Sequence, residues 1–205
     1  MTSGKNNLIF LFFVIFGMEQ LENYLKPGHW CESKSDSVIN ISKTIVGNSK
    51  SAKDKVKKIA LWVRDKVKWQ ILPLVGAESV LKRSPLAAIC IDKTNLFVAL
   101  CRAQNIPAKY VLMMAEMKPK NNEMPPNAMH AAAEVYIDGK WKFLDISFGK
   151  GTENIMPLST WDYSPYEIKK EFGKFAVLPL WMRIIANIYI AFAPDSKVLR
   201  KIVNA

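Results

Sequence analysis

Cysteine and histidine are scarce in this chain: three of the former, Cys31, Cys90 and Cys101, and two of the latter, His29 and His130. No Cys-x-x-Cys pair occurs, so neither a disulfide framework nor a structural zinc site is indicated. If Cys90 and Cys101 share a helix, they lie roughly 16 Å apart at about 1.5 Å rise per residue, beyond the ~7 Å reach of a disulfide. Free thiols are expected, with no metal and no other cofactor. Repeats and low-complexity stretches are also absent. Acidic residues are the minority charge, 18 against 29 basic, and the net +11 favours anionic partners without choosing among them. No basic and aromatic pattern of base-stacking modules appears, so no nucleic-acid partner is expected.

Uninterrupted apolar runs of membrane-spanning length are missing too. Residues 8–18 (LIFLFFVIFGM) form an apolar run of eleven, short of the ~20 a spanning helix needs. The run resembles the hydrophobic region of a signal peptide, but no small-x-small cleavage site follows. Residues 1–22 are therefore an apolar extension that reads as a signal-like segment, an anchor or a buried helix. A cytoplasmic location is expected, with membrane association or export as alternatives. Residues 175–193 are long enough to span, yet Pro179, Arg183 and Asn187 interrupt them. Arg183 and Asn187, four apart, share one helical face, which suits a helix packed on the domain or lying in a membrane interface. Peripheral membrane contact through the apolar ends follows as an expectation.

What is present fits one domain, since half of the 205 residues are hydrophobic. Its core is expected over residues 23–150, with 151–205 as a C-terminal extension bearing an apolar helix. Val56, Ile59, Ala60, Val63 and Val67 make one apolar stripe at helical spacing within residues 51–69. Ser51 and Asp54 supply a capped start. The opposite face, with Lys53, Lys57, Arg64 and Lys68, reads as solvated. A second helix is predicted after Pro85 and an apolar stretch, running to about Gln104, with Cys90 near its N-terminus and Cys101 in the core beside Phe97. A strand follows over residues 108–115, then a polar loop over 118–127.

A hairpin comes next, two apolar segments flanking Asp138-Gly139, the residue pair of a two-residue type I′ turn. Such a turn pairs Ile137 with Lys140, so Asp145 falls opposite Ala132 and His130 opposite Ser147. With side chains alternating faces, His130 and Asp145 project from the same face, diagonal neighbours at roughly 7–8 Å between backbones. An imidazole and a carboxylate so placed can hydrogen-bond. Should Asp145 point away, Glu134 on the same face is the substitute. A helix N-terminus favours the negative charge of a thiolate, the reactive form of cysteine.

Local spacing leaves Cys90 apart from this pair. The segment AAICIDKTNLFVALCRAQNIPAKYV (residues 87–111), however, resembles the nucleophile region of the transglutaminase-like superfamily, and MHAAAEVYIDGKWKFLDIS (129–147) resembles its histidine strand, hairpin and aspartate strand. WVRDKVKW (62–69) is similar to the helix end that precedes them. The resemblance implies an α+β, papain-like fold: a nucleophile-bearing helix packed on an antiparallel sheet. It implies a Cys90-His130-Asp145 triad acting on amides of a protein or peptide substrate through a thioester acyl-enzyme, by hydrolysis or by transfer to an amine. The oxyanion donors would be the Cys90 backbone N–H with Trp69 or Gln70. Three positions depart from the family's habit: Ala88 for a glycine, Ala132 for a tryptophan and Ile146 for a proline. The departures keep open a catalytically inactive member serving as a binding or scaffolding module.

Overall fold

The computed structural model describes residues 21–117, 127–155 and 166–192. The apolar run 8–18 and most of the polar loop at 118–127 lie outside these residues. Helix α1 (Asp36–Val46) starts where the Ser35 side chain accepts from Val38 N. Its buried stripe is thin, Val38, Ser42 and Val46. A serine in the middle of that stripe conceals it from apolar periodicity. Helix α2 (Ala52–Lys66) starts at Ser51, whose Oγ accepts from Asp54 N at 3.0 Å. Its predicted stripe, Val56 to Val67, is fully buried.

A two-residue strand β1 (Lys68–Trp69), helix α3 (Ala77–Leu81) and strand β2 (Ala87–Ala88) lead into helix α4 (Cys90–Ala103), with β1 and β2 pairing in parallel. Strands β3 (Ala108–Met117), β4 (Asn127–Ile137), β5 (Lys140–Leu144) and β6 (Tyr166–Phe175) form one antiparallel sheet in the order β5-β4-β3-β6. Helix α5 (Leu180–Phe192) closes the described chain. Strand β6 comes from the segment expected to be an extension, yet it pairs along β3 from Tyr110 to Met117.

Every residue of α4 from Cys90 to Arg102 is buried, because the helix is enclosed by α1, α2 and α3 on one side and by the sheet on the other. The sheet presents Tyr110, Leu112, Ala131, Ala133 and Val135 to the same core as Leu96, Phe97 and Leu100. Each of those three large side chains contributes about 1.5–3 kcal/mol by leaving water. Polar side chains in a buried helix need partners, and here they tie neighbouring segments to it. Thr94 Oγ1 donates to Ala131 O (2.9 Å), and Asn95 donates to Trp30 O (2.6 Å) while accepting from the Tyr110 hydroxyl (2.7 Å). This is the expected α+β class, a nucleophile-bearing helix on an antiparallel sheet.

Helix α5 docks through two polar residues. Arg183 donates to Leu74 O (2.8 Å), and Asn187 Oδ1 accepts from Leu74 N (2.9 Å). The shared face of these two residues is thus turned to the domain, clasping one backbone unit between them. Among the described residues, no helix is long and apolar enough to cross a membrane.

Candidate active site

Turn chemistry builds the first half of the site. Asp138 (φ 54) and Gly139 (φ 76) both take the left-handed conformation that a type I′ turn requires. The pairing Ile137 with Lys140 carries on to Ala133 with Leu144, which sets Asp145 just past the end of β5. There it enters its own tight turn: Asp145 N–H donates to Lys150 O (2.8 Å), and Gly149 N–H donates back to Asp145 O (3.0 Å). One carboxylate oxygen, Oδ1, accepts from Ser147 N (2.8 Å) and Phe148 N (3.1 Å). The other, Oδ2, lies 2.7 Å from His130 Nε2, with both side chains buried. His130 Nδ1 is buried without a conventional hydrogen-bond partner, which leaves it as the ring nitrogen available to a thiol.

The helix-borne cysteine meets this pair. Cys90 is the first residue of α4, and its thiol lies close enough to act on the His130 imidazole. Burial alone would pull the His130 pKa down, but the Asp145 carboxylate and the Cys90 sulfur outweigh it and raise it to about 10. Burial pushes Asp145 the other way, and the imidazolium with the Ser147 and Tyr166 hydrogen bonds brings its carboxyl below the ordinary value. Two rings fix the imidazole plane: Phe148 at 5.1 Å and Tyr166 at 5.3 Å between centroids.

The oxyanion candidates sit beside the nucleophile because β1 pairs with β2. Trp69 is the register partner of Ala88, and Gln70 N donates to Ala88 O (3.1 Å), two residues before Cys90. The Trp69 indole Nε1 is a buried donor with no partner. Cys90 N–H belongs to the first turn of α4, where amides have no intrahelical acceptor. Ala88 fits its place as a fully buried strand residue.

Glu134, the substitute partner for His130, is engaged elsewhere, ion-paired to Lys109 (3.0 Å) and Lys174 (2.6 Å). Cys31 and Cys101 are buried, and burial pushes both thiols up, so neither resembles a reactive group. Lys93 is a further buried residue of this site. It lies one turn along α4 from Cys90 and is buried, its pKa brought to about 8 by burial against the opposing pull of Asp145 and Cys90. Its signal in the sequence is the i, i+3 spacing from Cys90, which only a helix starting at that cysteine makes meaningful. Phe148 and Tyr166 carry no local signal at all.

The match by family is to the Transglutaminase-like superfamily, over residues 39–146, more than half of the chain. Among solved structures, the "putative cysteine protease" of Cytophaga hutchinsonii has a TM-score of 0.53 and 23% identity, covering 76% of this chain and 54% of its own. The "putative protease" of Parabacteroides distasonis (TM-score 0.42, 16% identity) covers 61% of this chain and 25% of its own. A transglutaminase structure (TM-score 0.36, 24% identity) covers 53% and 29%. This chain thus spans about half the length of the Cytophaga protein, and the likeness speaks for the fold. No curated protein matches the chain. By the residues matched, the chain belongs to the transglutaminase-like superfamily.

Proposed function

We propose that the protein is a thiol-dependent hydrolase or acyltransferase that acts on amide bonds of a protein or peptide. The observation that carries this reading is the buried His130 held at 2.7 Å from Asp145 while its ring is within reach of the Cys90 thiol. In the proposed reaction the proton of Cys90 Sγ rests on His130, and the thiolate attacks the substrate carbonyl carbon. The C–N bond then breaks as the imidazolium returns that proton to the leaving amine, and a thioester remains. Water or a second amine attacks the thioester, with His130 again taking the proton, and the thiol is regenerated. Asp145 holds the imidazole orientation and offsets its positive charge. Trp69 Nε1 and the Cys90 N–H are the proposed donors to the oxyanion, and each such donor contributes about 3–4 kcal/mol to transition states of this kind.

Alkylation by iodoacetamide, read by peptide mass, tests the Cys90 and His130 unit. Cys90 is expected to react ahead of Cys31 and Cys101, and His130→Ala is expected to slow that reaction at least tenfold. Unchanged alkylation in His130→Ala would remove the basis for the proposal. Amide hydrolysis set against incorporation of a fluorescent primary amine into casein separates the two reaction types. A cellular role retained by Cys90→Ala would support the binding-module alternative.

A further inference from the structure

Among the described residues, helix α5 has an exposed face of unusual composition. The side clasping Leu74 carries Met182, Arg183 and Asn187. The outward side carries Leu180, Trp181, Ile184, Ile185 and Ile188, exposed from 48% for Ile185 to 65% for Leu180, with Val177 (51%) in line before them. Their spacing of one, four, five and eight residues from Leu180 makes a single stripe, and it holds no charge. A scatter of single exposed apolar residues is ordinary on a protein surface, whereas a contiguous stripe marks a contact site.

We infer that this stripe lies in the interface of an anionic lipid bilayer, with α5 parallel to the membrane plane. Length decides the orientation: thirteen residues reach about 20 Å, short of the ~30 Å hydrocarbon core, so the helix cannot cross. Composition decides the depth. One face is apolar and includes Trp181, an aromatic of the kind favoured at headgroup level, while the opposite face is already docked on the protein. Charge decides the lipid. The chain beyond α5, residues 193–205, carries Lys197, Arg200 and Lys201 against Asp195 alone, and the whole chain is +11. Basic residues beside an interfacial helix strengthen attachment to anionic headgroups. A second copy of the chain is the poorer occupant: a standard interface covers ~800 Å² per partner, more than one stripe of six half-exposed side chains offers.

Flotation of the full chain with phosphatidylcholine vesicles, with and without phosphatidylserine, tests the inference. Binding is expected only with phosphatidylserine, and Trp181→Ser, Ile184→Ser, Ile188→Ser combined is expected to weaken it by about tenfold or more, given the apolar area involved. These side chains are exposed, so the variant should melt with the parent chain. If the combined variant does not fold, Ile188→Ser alone should still lower binding measurably. Three results would overturn the inference: no binding to anionic vesicles, full binding by the folded variant, which would assign attachment to residues 8–18, or a dimer in solution that the substitutions dissociate.

Discussion

At the scale of single residues, the buried ionic pair sets a pH signature. His130 has a folded pKa raised to about 10, so its stabilising contribution is complete below its unfolded value of ~6.5 and is lost as pH rises through about 10. Asp145 mirrors it, with a contribution present above ~3.9 and lost as pH falls toward its lowered folded value. Asp145→Asn should therefore cost about 3–5 kcal/mol at pH 7, where it leaves a buried charge uncompensated. Urea unfolding at pH 7 and at pH 10 checks this, since the cost should shrink at the higher pH. Lys93 runs the opposite way. Its folded pKa of about 8 lies below the ordinary ~10.4, so the buried charge destabilises the fold at neutral pH and ceases to do so as pH rises through that interval. Lys93→Met should raise stability by about 1–3 kcal/mol at pH 7, with the gain gone above pH ~10.5. A loss of amide-cleaving activity alongside that gain would mark Lys93 as kept for function, whereas a Lys93→Met variant no more stable at pH 7 than the parent would contradict the argument.

At the scale of elements, the nucleophile is steadied from a distance. Helix α5 grips Leu74, Val75 N donates to Asp92 Oδ2 (3.0 Å), and Asp92 lies two residues after Cys90. Arg83 adds to this loop by donating to Pro73 O (2.9 Å) and Ala87 O (2.6 Å). Asn187→Leu leaves the Leu74 N–H without its acceptor, a cost of about 1–3 kcal/mol. Amide hydrogen exchange at Leu74 and Val75 should accelerate in that variant while exchange in β3 stays unchanged, and equal protection in the two proteins would contradict the clasp. The turn that carries Asp145 has its own weak point. Gly151 is at φ +83, and a Cβ added there would overlap the Phe143 carbonyl oxygen, so Gly151→Ala meets both backbone strain and a steric clash. A thermal melt should register a loss of at least about 2 kcal/mol.

At the scale of the whole molecule, one guanidinium joins parts of the chain that are far apart. Arg102 donates to Lys26 O (2.6 Å), Ala108 O (2.7 Å from Nη2) and Ala176 O (2.6 Å), binding the N-terminal segment, the start of β3 and the lead into α5 to the end of α4. Arg102→Met would leave three carbonyls unpaired and should destabilise the fold by about 3 kcal/mol or more, measured by denaturant unfolding. The hairpin, the N-terminal cap of α2 and the placing of Cys90 near a helix start were legible in the sequence, because turn residues, capping residues and period-two alternation act over a few positions. The His130 and Asp145 pair is local in that sense, fifteen residues apart across one hairpin. Other features were set by tertiary structure. Strand β6 reads as polar (YEIKKEFGKF), because an edge strand needs no apolar alternation to be held by β3. Helix α4 has no amphipathic face, because it is buried on all sides. The approach of Cys90 to His130, the orphaned Trp69 indole beside it and the burial of Lys93 all depend on segments brought together by packing, and contacts across such separations leave no periodic trace in the chain.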